Sequence, residues 1–283
     1  MDLSRITSGL ASNILTHSAE IELNSDNCDK VIKLTSRAIE RNPNDAAAYL
    51  NRGRAYIELE DYNAAIRDLD KAIRLSPNNA KAYFNRGKAY DELENYKQAV
   101  KDYSEAIRLD SEFEMAYYKR GKAYSKLEEY QNAIKDFSKS IELSPKDAIT
   151  YYRRGKAYFK LKKYDTAIKD FSKAIKLDDE DTDYFVARGK AYFKLEKYKD
   201  AIEDFDEAIN MDEDCELAYY WRGMSNVELE EYEDAVDDFS KSIELSPDDG
   251  ITYYKRGECY QELGKKSKAR ADFDKAKELG YED

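Results

Sequence analysis

The sequence predicts an all-α protein built from pairs of antiparallel helices, and three observations carry that prediction. An Arg-Gly pair recurs every 34 residues, at Gly53, Gly87, Gly121, Gly155, Gly189, Gly223 and Gly257. Within each period the apolar and small residues fall at i, i+4 and i+7, the spacing of one helix face. Helix breakers are scarce, with four prolines in 283 residues, while 37% of the chain is charged, as long solvated helices require.

With glycine set at position 8, seven units follow: 46–79, 80–113, 114–147, 148–181, 182–215, 216–249 and 250–283. The first helix of each carries an aromatic at position 4 (Tyr49, Tyr83, Tyr117, Tyr151, Phe185, Tyr219, Tyr253). Gly at 8, with a small residue at 10, keeps that helix thin where a partner crosses closely. A turn is expected near position 16. The second helix carries Ala at position 20 throughout, a bulky residue at 24 (Leu69, Tyr103, Phe137, Phe171, Phe205, Phe239, Phe273) and a small one at 27. Pro77, Pro145 and Pro247, at position 32, stop it.

The two ends differ. In the seventh unit Lys266, Arg270 and Lys277 stand where other units are apolar, as expected of a C-terminal capping repeat whose outer face must be hydrated. Residues 28–45 read as a degenerate half-repeat, a second helix with Val31, Ala38 and Pro43 at positions 20, 27 and 32. Residues 12–27 fit a first helix poorly. The stripe Leu3, Ile6, Leu10 and Ile14 predicts that residues 1–27 form a capping helix or helices over the open end, or a helix for a partner.

These residues, in units such as YYKRGKAYSKLEEYQNAIKDFSKSIELSP (117–145), resemble the tetratricopeptide repeat family over residues 46–283. The resemblance implies a right-handed superhelical solenoid of antiparallel helix pairs, with first helices lining a concave groove. It also implies a non-enzymatic scaffold for protein–protein interaction. The family more often has leucine at position 7, where this chain has arginine in all seven units. Position 23 is aspartate in all seven, from Asp68 to Asp272, so an Arg–Asp bridge within each hairpin is expected.

The resemblance places positions 2, 5, 6, 9, 12 and 13 in the groove. In the middle units these are basic and aromatic: Tyr118, Lys119, Lys122 and Lys126; then Tyr152, Arg153, Lys156, Phe159 and Lys160; then Lys190, Phe193 and Lys194. Lysines four apart repel on a bare helix, so a stack of them suits an anionic partner, although lysine there also simply favours hydration. Unit 216–249 changes character, with Tyr220, Trp221 and Met224, residue types favoured as interface anchors and equally suited to packing on a neighbouring helix. The expected ligand is a protein or peptide segment, acidic or phosphorylated. The family's clamp for chaperone C-termini is not present in its known form: Asn85 takes one position, but Leu50 and Arg54 precede it and Met115 and Lys119 follow.

Charge is uneven. Unit 148–181 has nine basic and six acidic residues, whereas 216–249 has two and eleven, inside a net charge of −12. The acidic run Glu228–Asp238 reads as a solvated face or as a surface for a basic partner, so a self-assembling scaffold is an alternative. The basic-aromatic strip raises single-stranded RNA as a second alternative, which the net charge disfavours.

Catalysis is not expected: the one histidine, His17, lies outside the repeats, and neither a phosphate loop nor a nucleophile motif is evident. Cys28, Cys215 and Cys259 are far apart and form no CxxC, so they read as reduced thiols, and neither metal nor cofactor is expected. The absence of an evident signal peptide and of a long apolar run predicts a cytoplasmic protein with no membrane partner.

Overall fold

The structure, a computed structural model, describes residues 10–19 and 27–281 and contains sixteen helices among them. They fall into two compact units, ending and beginning at Pro145 and Lys146. The first holds α1 (10–19), α2 (Cys28–Arg41), α3 (Ala46–Glu58), α4 (Tyr62–Leu75), α5 (Ala80–Glu92), α6 (Tyr96–Leu109), α7 (Glu114–Lys126) and α8 (Tyr130–Leu143). The second holds α9 (Ala148–Lys160), α10 (Tyr164–Leu177), α11 (Thr182–Lys194), α12 (Tyr198–Met211), α13 (Glu216–Glu228), α14 (Tyr232–Leu245), α15 (Gly250–Glu262) and α16 (Lys266–Glu278).

Each unit is a stack of helical hairpins. Successive helices pack on one another, and alternate first helices also touch directly: α3 with α5 and α5 with α7, then α9 with α11 and α11 with α13. The first helices thus form one layer and the second helices another. Between the two helices of a hairpin lies the position-24 ring, fully buried at Tyr103, Phe137, Phe171, Phe205 and Phe239. Each such burial contributes about 1.5–3 kcal/mol. Glycine at position 8 is what admits the ring: a Cβ on Gly155 would lie 2.6 Å from Phe171 Cε1.

The expected Arg–Asp bridges are present in all seven repeats and are bidentate. Arg120 donates from Nε to Asp136 Oδ2 (2.7 Å) and from Nη2 to Oδ1 (2.8 Å). The third nitrogen has a use that the sequence did not reveal. Nη1 of Arg120 donates to Ser104 Oγ on the preceding hairpin, at 2.9 Å. Arg52 reaches Ser36 and Arg86 reaches Asp70 in the first unit; Arg188, Arg222 and Arg256 reach Ser172, Asp206 and Ser240 in the second. In each of these links the acceptor stands at position 25, two residues beyond the bridging aspartate in the full repeats and beyond Leu34 in the helix that precedes them. Each guanidinium also lies over the position-4 ring, 5.7 Å from the Tyr117 centroid in the case of Arg120. Burial opposes the charge on Arg86, but the Asp102 and Asp70 carboxylates outweigh it and raise its pKa.

The turn inside the hairpins puts position 15 in the left-handed region. Glu60, Glu94, Glu128, Lys162, Glu196 and Glu230 have φ between 56° and 61°, and only the last repeat uses a glycine there, Gly264. A side chain at this φ is strained. Glu128→Gly is therefore expected to raise the urea midpoint, by about 1 kcal/mol of stability at most, read in equilibrium unfolding.

At the N-terminal end the structure departs from the expected stripe. Leu10 and Ile14 are 63% and 61% exposed, and α1 instead buries Ser12, Thr16 and Ala19. Leu3 and Ile6 lie outside the described residues. The cause is Asp45, the buried N-cap of α3, which accepts from Ser12 Oγ at 2.7 Å, Thr16 Oγ1 at 2.8 Å and the Ala48 amide at 3.0 Å. In α1 and α2 the two positions are closer in size than in the repeats: Ala19 stands at position 8 and Thr35 at position 24, both buried. At the other end Lys266, Arg270 and Lys277 are exposed.

Candidate functional site

In the second unit the groove-facing positions of α9, α11 and α13 come together. A recess of about 370 Å³ opens between α9 and α11, with Phe171 as its floor and Tyr152, Phe159 and Val186 among its walls. Lys156, Lys160 and Lys190 form its rim, and Asp183 supplies a single carboxylate. Tyr152 itself is only 7% exposed, because its ring packs on Phe171 and Tyr184 at centroid distances of 5.9 and 4.9 Å. Its role is to shape the wall.

The lysines rest on aromatic faces. Lys156 Nζ lies 5.1 Å from the Tyr152 centroid, and Lys190 Nζ lies 4.9 Å from that of Trp221. Lys194 Nζ is 5.6 Å from Phe193 and 5.8 Å from Trp221. Among the described residues Lys156, Lys160, Lys190 and Lys194 enter no ion pair, whereas Lys139, Lys241, Lys255 and Lys275 each hold a glutamate. Burial, then the nearby Lys156, Lys160 and Lys194 charges, push the Lys190 ammonium below its ordinary value, with only Glu216 opposing. Arg153 lies beside this wall: its guanidinium carbon is 5.8 Å from the Tyr152 centroid, and its Nε is buried without a hydrogen-bond partner.

The aromatic group beyond the lysines is half packing and half surface. Trp221 meets Phe193 and Tyr220 edge-on at 5.2 and 5.6 Å. Tyr220 and Met224 also pack on the buried cluster of Val236, Phe239 and Cys259. Burial lifts the Cys259 thiol to about 12, so it stays protonated.

In the first unit the predicted residues meet carboxylates. Lys122 and Lys126 share a recess of about 210 Å³ with Asp91, Glu92 and Glu94. Lys119 is half-buried, its pKa lowered by burial and by Lys122 against the opposing Asp91 charge. Tyr118 lies against Phe137 at 6.1 Å. The local balance there is mixed, in contrast to the cationic rim of the second unit.

Among the described residues, no group of His, Cys, Asp and Glu has metal-binding geometry, and no helix is long and apolar enough to cross a membrane. Stacked hairpins whose first helices share a lined recess define an α-solenoid interaction module. The tetratricopeptide repeat matches residues 34–67, 80–113, 115–147, 148–181, 186–250 and 251–279, with a further TPR repeat match over 53–93. The chain belongs to the tetratricopeptide repeat family. No curated protein matches it by sequence.

Among solved structures, YrrB, described as a TPR protein with an unusual peptide-binding site, is 28% identical. That alignment covers 65% of this chain and 95% of YrrB, with a TM-score of 0.61. MamA (41-end) from Desulfovibrio magneticus is 25% identical over 60% of this chain and 96% of its own, with a TM-score of 0.58. A tetratricopeptide repeat protein from Parabacteroides merdae covers 89% of this chain and 99% of its own at 21% identity and a TM-score of 0.61, a likeness of fold. The repeats and the YrrB and MamA neighbours support a protein–protein interaction scaffold, a class that is typically non-enzymatic.

Proposed function

We propose that this scaffold binds an acidic or phosphorylated peptide segment on the lysine-rimmed recess of residues 148–249. The observation that carries the reading is a set of four lysines without ion pairs among the described residues: Lys156, Lys160 and Lys190 line the recess, and Lys156, Lys190 and Lys194 lie over aromatic faces. Like charges held close and partly desolvated are costly, and an anion in their midst relieves that cost. The Phe171 floor and the Val186 wall take an apolar side chain between the acidic ones. The YrrB peptide-binding site is a precedent for peptide recognition on this fold.

Trp221 is the only tryptophan in the chain and sits beside Lys190 and Lys194, so its fluorescence reports the site. Titration with N-acetylated, C-amidated hexaglutamate is expected to change Trp221 emission, with affinity falling as salt rises. Lys156→Glu/Lys190→Glu should weaken binding at least about tenfold, the scale of losing close charge pairs. Equal responses to hexaglutamate and hexalysine, or equal affinity of the variant, would refute the reading.

Binding requires the Lys190 ammonium, whose pKa lies below the usual 10.5. Affinity should therefore fall with rising pH before that value is reached. Homopolymeric RNA bound more tightly than the peptide would favour nucleic acid instead. A salt-sensitive increase in light scattering without peptide would favour self-assembly through the acidic residues 228–238.

A further inference from the structure

Position 11 is tyrosine in six repeats and asparagine in one, at Asn226. In repeats 114–147 and 250–283 the tyrosine covers the bridging arginine: the Tyr124 and Tyr260 rings lie 6.0 and 5.8 Å from the guanidinium carbons of Arg120 and Arg256. Asn226 carries no ring to do so. It is buried and donates to Asp238 Oδ2 at 3.0 Å, an oxygen that also accepts from Arg222.

With the ring absent, a recess of about 440 Å³ lies between α12, α13 and α14, lined by Asn226, Arg222, Ile202 and five carboxylates. It shares no lining residue with the lysine-rimmed recess. Of the seven bridging arginine side chains Arg222 is the most exposed, at 24%, as expected where its cover is missing.

Two further positions change at the same place. Position 22 is basic in the first four repeats, at Arg67, Lys101, Lys135 and Lys169, but is Asp237 here. Position 19 is uncharged in those four and is Asp234 here. Both carboxylates line the recess. Arg222 is already held by Asp238 and Asp206, and among the described residues Asp234, Asp237 and Glu231 enter no ion pair. Burial pushes the Asp238 carboxyl up, and the Asp206 and Asp234 charges add to this against Arg222. The carboxylates lack metal-binding geometry, so their excess charge suits an organic cation.

We infer that this recess is a second docking site, which seats an arginine side chain of a basic protein segment where the tyrosine ring is missing. A guanidinium is flat, as that ring is, and its five N–H groups suit a lining of several carboxylates. A cation there offsets the like charges that Arg222 alone leaves unbalanced. The inference stands apart from the peptide proposed for the lysine rim, because it uses another recess and a ligand of opposite charge.

The test is calorimetric titration of the full chain with N-acetylated, C-amidated hexaarginine, and separately with hexaglutamate. Wild type is expected to bind hexaarginine with an affinity that falls as salt rises. Asn226→Tyr installs the residue of the other six repeats and changes no charge. It should weaken hexaarginine binding about tenfold, the scale of one charge-assisted hydrogen bond, while hexaglutamate affinity stays unchanged. It should also melt no lower than wild type. Asp237→Lys, which installs the residue found at Lys101, Lys135 and Lys169, covers the case in which Asn226→Tyr folds poorly. Its loss of hexaarginine affinity should exceed that of Glu233→Lys, the same charge change at an exposed residue of α14 outside the recess. No hexaarginine binding at low salt overturns the site. Equal affinity of wild type and Asn226→Tyr, or equal losses in the two lysine variants, also overturns it, since the acidic surface then attracts the peptide without the recess. Hexaarginine binding that Asn226→Tyr weakens, with no hexaglutamate binding, upholds this site and sinks the lysine-rim reading alone.

Discussion

Arg120→Leu is expected to destabilise the protein by about 3 kcal/mol, because it leaves Asp136 buried without its charge partner. The Asp136 side chain is only 7% exposed, and Arg120 provides two of its hydrogen bonds. The same substitution also removes the bond to Ser104, so it loosens the preceding hairpin as well. Adding Asp136→Leu should recover part of the loss, since an apolar pair of similar volume avoids the orphaned charge. Urea unfolding of the two single variants and the double variant measures the coupling directly. Additive losses would mean that the bridge is not the unit of stability at this seam.

Phe171→Ala should cost about 3–5 kcal/mol through the cavity it leaves. Gly155→Leu should also destabilise the protein, since even a Cβ at this position approaches Phe171 to 2.6 Å. Combined, the two changes place the large side chain on the opposite helix, and the double variant is expected to lie well above the sum of the singles. If thermal melts show the double variant no better than the sum, the contact depends on ring shape rather than on total volume.

What could be read in the sequence was what every repeat shares. The helix pairs, the glycine–ring contact and the Arg–Asp bridge each recur in phase, so periodicity isolates them. The link from Arg120 to the preceding hairpin was not legible, because its acceptor alternates between Ser and Asp and no single residue type marks position 25. The Leu10–Ile14 stripe misled, since the burial of α1 is decided by hydroxyl bonds to Asp45, a residue some thirty positions away. In the candidate site the lysines and aromatics were legible from phase alone. Their freedom from ion pairs in one unit, and their proximity to Asp91 and Glu92 in the other, depend on which helices lie side by side.

The arginine links have a consequence for how such a chain changes length. Each linked guanidinium uses an acceptor at position 25 of the hairpin before it, and every full repeat carries Ser or Asp there. Loss of residues 80–113 as a block would bring Arg120 to Asp70, the acceptor that Arg86 now uses. A duplicated block would likewise find its mate already in place. A deletion of any other size would break the phase. The bonding rule thus makes the 34-residue block the natural quantum of gain and loss, and a block can leave or arrive with its own recess while the neighbouring recesses keep their chemistry.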